Sequence, residues 1–231
     1  RGANAILVPI EVPPDRIDMF FELAAAIGNL DGMVVTIPHK FRARQACTTV
    51  SPRAELLGAA NVLRRNPDGS WHGDMTDGIG FCNAVRAKGT DLAGRRALLI
   101  GAGGAGSAIG LSLLDGGVES LAVFDLDTGR RDALISKLAT RYPTVAAAPS
   151  ADPAGYGLIA NASPAGMRPD DPLPVDAAGL TPAMHVGDVV TAPEGPPLIV
   201  AARAAGCTTN TGTEMYQAQI DVITDFLLGR D

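Results

Sequence analysis

Short apolar runs alternate with segments of helical apolar spacing at the start of the chain. The run over 5–12 predicts a strand, and the segment over 14–27, which Gly28 follows, predicts a helix. The run over 33–37 predicts a second strand, and Lys40 then lies in the first turn of another predicted helix. This pattern predicts an α/β unit.

A hairpin and a helix are predicted next. Apolar runs over 59–63 and 69–73 flank a polar turn, which is typical of two antiparallel strands. Helical spacing resumes over 76–88. The pattern then changes, because an uninterrupted apolar strand begins a new unit.

The second unit opens with a strand over 97–100 that leads directly into a glycine-rich turn over 101–106. Helical spacing over 105–114 and a strand over 121–124, followed by Asp125, complete a βαβ unit. Two further strands and a terminal helix are predicted beyond it. They are the runs over 157–161 and 185–190, the capping-box start at Thr211, and the apolar stripe Tyr216, Ile220, Ile223 and Leu227.

Composition supports an α/β fold with a small-molecule partner. Apolar residues make up 46% of the chain and aromatic residues only 4%, which suits layered strands and helices. A net charge of -6 gives no reason to expect binding to nucleic acid or to a membrane. Cys47, Cys82 and Cys207 are widely spaced, so neither a disulfide framework nor a metal site is predicted.

Location and completeness are also matters of expectation from the sequence. No apolar run approaches the roughly 20 residues of a membrane span, and we expect a cytoplasmic protein. The sequence begins with Arg1 and not with Met, so we expect that a segment precedes it.

The turn over 101–106 fits a dinucleotide-binding fingerprint. Gly101 permits the tight turn, Gly103 lets the backbone approach a pyrophosphate, and Gly106 permits close packing of helix on strand. Its place between an apolar strand and a helix, with Asp125 after the next strand, makes the assignment specific. Asp125 favours NAD over NADP, because a carboxylate accepts hydrogen bonds from the ribose and repels a 2′-phosphate, although Arg130 and Arg131 leave NADP open.

Five ordered motifs beyond this turn resemble the shikimate/quinate dehydrogenase family. The matching stretches are 32–40, 58–62, 73–81, 161–167 and 215–219, which read GMVVTIPHK, GAANV, GDMTDGIGF, NASPAGM and MYQAQ. The resemblance spans nearly the whole chain. It implies a nicotinamide-dependent dehydrogenase that reversibly oxidises a hydroxyl of a cyclic hydroxy acid, either shikimate or quinate.

The family resemblance also implies a fold and a set of site residues. The fold is α/β with a substrate-binding lobe over 1–83, lacking part of its N-terminal region, a Rossmann lobe over 84–210, and a C-terminal helix over 211–231 that returns to the first lobe. Lys40 and Asp77 match the catalytic pair. The substrate-binding positions are Thr36, Asn61 and Gln219, and the cofactor-binding positions are Gly101, Ala102, Gly103, Gly104, Ala105, Gly106, Asp125, Asn161, Ser163, Met167 and Gly212.

The predicted catalytic pair makes chemical sense. Loss of hydride from a secondary alcohol needs a base for the hydroxyl proton. The helix start at Lys40 disfavours an ammonium, whereas Asp77 stabilises one and aligns the amine with the substrate. Gln219 and Asn61 have a second interpretation, in which each amide satisfies only protein backbone.

Several positions depart from the family pattern. Val34 and Met75 replace asparagines, Thr191 replaces a tyrosine, and a serine pair near the family's N-terminus is not in the sequence. Such changes can redirect substrate specificity, so the protein can also be interpreted as a paralogue of the shikimate dehydrogenases that acts on a different substrate. A non-catalytic dinucleotide-sensing module is a further alternative, which Lys40 and Asp77 oppose. Either a monomer or a homodimer is compatible with the sequence.

Overall fold

The computed structural model describes residues 2, 4–168, 170–193 and 195–230, and two separate sheets organise them. The first sheet has the order β1-β3-β4-β2, in which β3 pairs antiparallel with β1 and β4, and β2 pairs parallel with β4. We call this sheet and its helices the first lobe. Its elements are β1 (Gly32–Val34), β2 (Thr49–Val50), β3 (Val62–Arg65), β4 (Trp71–Asp74), α1 (Ile17–Ala26), α2 (Lys40–Ala46) and α3 (Pro52–Leu57).

The second sheet is parallel throughout. Its strand order is β10-β9-β8-β5-β6-β7. From β5 the chain adds β6 and β7 on one side, and it then returns to add β8, β9 and β10 on the other side, so the order of addition reverses between β5 and β8 as in a doubly wound Rossmann-like sheet. We call this sheet and its helices the second lobe. Its elements are β5 (Arg96–Ile100), β6 (Ser120–Phe124), β7 (Val145–Ala147), β8 (Leu158–Asn161), β9 (His185–Asp188), β10 (Thr208–Asn210), α5 (Gly104–Asp115), α6 (Thr128–Ala139) and α7 (Pro197–Ala204).

Two helices link the lobes. The helix α4 (Asp77–Ala87) packs against α5 of the second lobe and against the terminal helix α8 (Gly212–Leu227). The helix α8 also contacts β3, so the end of the described chain returns to the first lobe. Phe81 on α4 and Phe226 on α8 are almost completely buried, so each of the two helices contributes an aromatic side chain to the apolar interior.

Several elements begin or end where local chemistry requires. Thr211 and Glu214 form the predicted capping box at the start of α8. Ser51 caps α3 by accepting a hydrogen bond from the Ala54 N–H at 3.2 Å, and Gly58 ends this helix in the left-handed region. The short Ser–Pro start looks like a turn in the sequence, which is why α3 was not predicted.

Three predicted features differ from the structure. Residues 5–12 form no strand. Among the described residues β1 pairs only with β3, so no strand lies along its free edge, and Ile6 and Leu7 are exposed. The strand predicted over 33–37 ends at Val34. On α8, Tyr216 and Ile220 are exposed, since the buried side is formed by Met215, Gln219, Ile223 and Phe226.

Within the described residues, no helix is long and apolar enough to cross a membrane.

Candidate active site

Lys40 and Asp77 form an ion pair between two helix starts. Lys40 is the first residue of α2 and Asp77 is the first residue of α4. The Lys40 Nζ donates a hydrogen bond to Asp77 Oδ2, and the two side chains are only 13% and 8% exposed. Shielding from water strengthens such a pair and holds the amine in one place.

Two buried amides hold the other oxygen of Asp77. Asn61 Nδ2 donates to Asp77 Oδ1 at 2.8 Å, and Gln219 Nε2 donates to the same oxygen at 3.2 Å. Asn61 is 2% exposed and Gln219 is 3% exposed. The structure thus brings together four predicted site residues from α2, α4, α8 and the segment before β3.

Thr76, which was not predicted from the sequence, completes this network. Its Oγ1 accepts a hydrogen bond from Gln219 Nε2 at 2.6 Å and donates to Asn61 Oδ1 at 3.2 Å, while its N–H donates to Asn61 Oδ1 at 2.8 Å. Thr76 is completely buried. Its place directly before Asp77 in the matched motif was a usable signal. The network fixes which end of each amide faces Asp77.

Thr36 and the departures from the family pattern lie elsewhere. Thr36 is exposed, and its carbonyl accepts a hydrogen bond from the His39 N–H at 3.0 Å, so the structure does not bring it into the buried network. Met75 is 1% exposed and belongs to the main apolar core, which means that it is a packing residue. Val34 and Thr191 are exposed.

The glycine-rich turn has the shape of a pyrophosphate cradle. Gly101 has a φ of 96°, which favours glycine, and a Cβ on Gly106 would lie 1.9 Å from the Gly101 carbonyl oxygen. A Cβ on Gly103 would meet nothing within 4 Å, so the space beside it is open. The N-terminus of α5 begins there, and its free N–H groups suit an anionic ligand. These residues fit a dinucleotide.

A second loop faces this turn across the point where the sheet order reverses. Asn161 ends β8, its Oδ1 accepts hydrogen bonds from the Ser163 N–H and hydroxyl at 3.1 and 2.7 Å, and the loop then runs on to the exposed Met167. A Cβ on Gly101 would lie 2.8 Å from the Ser163 nitrogen, so the two loops are in contact. Ligands of parallel α/β sheets bind at such reversal points.

Gly212, the first residue of α8, approaches the end of β9 closely. A Cβ on Gly212 would lie 2.3 Å from the Val189 carbonyl oxygen. The start of α8 is therefore fixed at the same edge of the sheet as the two loops.

Asp188 at the end of β9 supports the Asn161 loop. Its Oδ1 accepts hydrogen bonds from Asn161 Nδ2 at 3.1 Å and from the Val190 N–H at 2.9 Å. Its Oδ2 is buried without a partner among the described residues. Burial raises the pKa of the Asp188 carboxyl to about 6, because the charged form loses its hydration. Asp188 was not among the site residues predicted from the sequence.

Asp125 lies at the edge of the glycine turn. Its Oδ2 accepts a hydrogen bond from the Ala102 N–H at 2.7 Å, and its Oδ1 accepts one from the Asp127 N–H at 2.8 Å. Arg130 Nη1 lies 3.8 Å from Asp125, and Arg130 Nη2 donates to Asp127 at 3.2 Å. A hydrogen bond from the Arg130 N–H lowers the pKa of Asp127, which caps α6. Arg130, one of the two arginines that left NADP open in the sequence, is thus paired with carboxylates.

Known proteins resemble both the first lobe and the whole chain. The shikimate dehydrogenase substrate binding domain matches residues 1–63. A shikimate dehydrogenase (NADP(+)) of Rhodospirillum rubrum is 36% identical over 226 residues, which cover 95% of this chain and 80% of that protein.

Solved structures agree with this assignment. The quinate dehydrogenase of Corynebacterium glutamicum in complex with NAD is 30% identical, with a TM-score of 0.81 over 92% of this chain and 77% of that one. The ligand-free 5-ketofructose reductase of Gluconobacter sp. strain CHM43 is 27% identical, with a TM-score of 0.82 over 96% of this chain and 81% of that one. Since the first relative is similar over almost the full length of the chain, this protein belongs to the shikimate dehydrogenase family.

Proposed function

We propose that this chain catalyses reversible hydride transfer between a nicotinamide cofactor and a secondary hydroxyl of a cyclic hydroxy acid. The buried Lys40–Asp77 pair, held by two amides, carries this proposal. All four residues also lie in stretches that resemble the family's motifs, which favours a catalytic role over a purely structural ion pair. Family membership supports the same class of reaction, an NAD(P)-dependent oxidation of a CH–OH group.

Lys40 acts as the general base in alcohol oxidation. A nicotinamide cofactor held at the glycine turn would supply the hydride acceptor, and residues of this chain would handle the proton. Lys40 Nζ accepts the hydroxyl proton in its neutral amine form as the hydride departs, and Asp77 stabilises the ammonium that forms. In the reverse direction the same ammonium returns the proton to the ketone oxygen. The ion pair therefore serves both directions.

Asn61 and Gln219 hold Asp77 and orient the substrate. Gln219 Nε2 is committed to Thr76 and Asp77, so Gln219 presents its Oε1 as an acceptor for a substrate hydroxyl. Asn61 Oδ1 is committed to Thr76, so Asn61 presents its remaining N–H as a donor. A polyol that both donates and accepts hydrogen bonds matches this pair.

The cofactor is a nicotinamide dinucleotide, which can be either NAD or NADP. The relatives' names specify NADP(+), which favours NADP. We nevertheless propose NAD, because Asp125 is held in place by two backbone N–H groups where it would repel a 2′-phosphate. Arg130 offsets only part of this repulsion, since its single positive charge faces both Asp125 and Asp127.

Replacing Asp125 tests the cofactor proposal. We expect Asp125→Ala to raise the Kd for NADH by about tenfold and to leave the Kd for NADPH unchanged or lower, since one charge-assisted hydrogen bond to the ribose is lost only with NADH. Titration of NADH and NADPH fluorescence gives both constants. The exposed Asp132→Ala serves as the control, because Asp132 pairs only with Arg131 in the described structure. Equal weakening of both cofactors would count against the ribose role of Asp125.

A panel of substrates tests the activity itself. Shikimate, quinate, simpler cyclic hydroxy acids and 5-ketofructose, the last in the reducing direction, would be incubated with each cofactor while nicotinamide absorbance is followed. We expect turnover with shikimate or quinate. Turnover with 5-ketofructose alone would replace the cyclic acid by another polyol and keep the hydride chemistry. Cofactor binding without turnover on any substrate would support a sensing module and overturn the proposal.

The remaining assignments follow from this function. We propose that residues 1–83 with the helix over 211–231 bind the substrate, and that 84–210 bind the cofactor. On this proposal Thr36 lines the substrate-binding region. The cofactor-binding region is lined by Ser163, Met167 and Gly212.

A further inference from the structure

Gly104 is the glycine in the turn that the dinucleotide fingerprint does not explain. The fingerprint assigns tasks to Gly101, Gly103 and Gly106, whereas Gly104 occupies one of its free positions. The φ of Gly104 lies outside the left-handed region, so its backbone does not require glycine. Its lack of a side chain must therefore be explained by its surroundings.

The surroundings of Gly104 are the side chain of Lys40. A Cβ built on Gly104 would have as its three nearest neighbours Lys40 Cδ at 3.1 Å, Cβ at 3.3 Å and Cγ at 3.7 Å. The first two distances are tighter than ordinary van der Waals contact between carbon atoms. The stem of Lys40 thus lies directly over the first residue of α5, in the space that a side chain would fill.

The Lys40 side chain is held at both ends, so it cannot move aside freely. Its carbonyl oxygen accepts a hydrogen bond from the Ala60 N–H at 2.9 Å, which fixes the backbone. Its Nζ is fixed by Asp77, which Asn61 and Gln219 hold in turn. Any push on the middle of the stem is therefore transmitted to the amine.

We propose that Gly104 is a positioning residue for the reaction, whose missing side chain sets how closely the base approaches the dinucleotide turn. This inference rests on the proposed role of Lys40 as the base. It assigns to one turn two separate tasks, since Gly103 gives room to the cofactor and Gly104 gives room to the lysine. An alanine at 104 moves the amine by a few tenths of an ångström while leaving the N–H groups of the turn in place.

The comparison of Gly104→Ala with Gly103→Ala tests this division. We expect Gly104→Ala to lower kcat by about tenfold and to leave the Kd for NADH within about twofold, because misplacement of a reacting group acts on the chemical step. Gly103→Ala should instead raise the Kd for NADH. A primary isotope effect, measured with substrate deuterated at the carbinol carbon, should increase in Gly104→Ala as hydride transfer becomes rate-limiting. An unchanged kcat in a folded Gly104→Ala protein, or a loss matched by weaker NADH binding, overturns the proposal.

A stability cycle tests the same contact without relying on activity. Gly104→Ala should lower the Tm, and the double variant Lys40→Ala/Gly104→Ala should recover it, because the stem that meets the new methyl is gone. The double variant also provides a folded protein if Gly104→Ala does not fold. A double variant as unstable as Gly104→Ala would show that Lys40 is not the obstacle. Failure of the proposed function is distinct, since the unmodified chain would then show no turnover.

Discussion

Lys40 is one of three lysines in the chain, and its surroundings differ from those of the other two. Lys88 pairs with Glu214 on the surface at 2.5 Å, with both side chains about a third exposed. Lys137 Nζ donates to the Leu57 carbonyl oxygen at 2.8 Å, where it caps the end of α3. Only the Lys40 pair is both shielded and held by further buried amides. The contrast offers matched variants for testing the base.

We expect Lys40→Ala to lower turnover by roughly 100-fold, the usual effect of removing a general base, while the Kd for NADH stays within about twofold. Steady-state rates and fluorescence titration measure the two quantities. Lys88→Ala is the control, because it breaks a lysine–carboxylate pair outside the site, and its turnover should change by less than about twofold. Full turnover in Lys40→Ala would refute the role of Lys40.

The raised pKa of Asp188 predicts how the stability of the fold depends on pH. Its folded pKa of about 6 lies above the ordinary 3.8, so the folded protein binds the proton more tightly than the unfolded chain, and stability falls as pH rises from about 4 to 6. The rise in pKa lowers the free energy of unfolding by about 3 kcal/mol above pH 7, because the carboxylate is then charged in the folded protein. Asp188→Asn keeps an oxygen for Asn161 and Val190 and removes the charge. It should therefore gain stability at pH 8 relative to pH 4.

Urea unfolding at several pH values measures this difference. The unpaired N–H₂ group of the new asparagine reduces the gain by about 1–3 kcal/mol at every pH, so the difference between pH values is the informative quantity. A pH-independent effect of Asp188→Asn would contradict the assignment of a raised pKa to this carboxyl.

At the scale of elements, one arginine joins α1 to the β3–β4 hairpin. The Arg65 guanidinium donates hydrogen bonds to the carbonyl oxygens of Ala24, Ala25 and Ile27 at the end of α1, at 3.0 to 3.1 Å. It also lies over the Trp71 ring at 4.4 Å from the centroid. The Ile27 N–H also donates to the Ala24 carbonyl oxygen and the Leu30 N–H to the Ile27 carbonyl oxygen, both at 3.3 Å, so the arginine adds to a weak backbone cap.

We expect Arg65→Lys to destabilise the first lobe by about 2–3 kcal/mol, because an ammonium cannot reach three divergent carbonyl oxygens and stack on the indole ring. Trp71 is the single tryptophan of the chain, so its fluorescence during urea unfolding reports on this lobe. Arg141→Lys is the control, since Arg141 lies over the Tyr142 ring with a side chain that is 60% exposed. Equal stability of both variants would remove the capping role.

Local pattern predicted the start of the second lobe closely, but it missed four later elements of that lobe, α6, β7, α7 and β10. The strand β5, the turn and the helix α5 follow one another directly, and the predicted strand over 97–100 differs from β5 by one residue. Residues 5–12 were wrongly predicted as a strand, because apolar alternation does not reveal whether a partner strand lies alongside. The helix α3 was missed, since its Ser51 cap and Pro52 start are also turn formers.

At the scale of the whole molecule, the fold class and family were predicted and are confirmed, whereas the arrangement of the site came from the structure. Periodicity places Lys40 on a helix but cannot place Gln219 beside Asp77, which is 142 positions away. Motif resemblance named both residues without their geometry. Thr76 was not predicted, although it stands directly before Asp77 in the matched motif, because its contacts with Asn61 and Gln219 join residues that are far apart in the sequence.

The position of Gln219 on the terminal helix has a consequence for how the protein is made. During synthesis the six-stranded sheet is complete once β10 has emerged, and domains generally fold as soon as their residues are available. The carboxylate of Asp77 must wait for α8 before its second amide arrives. We therefore expect a nascent chain to complete its six-stranded sheet before its catalytic site, and an interrupted chain that ends before 212 to lack turnover because Asp77 has no Gln219 amide.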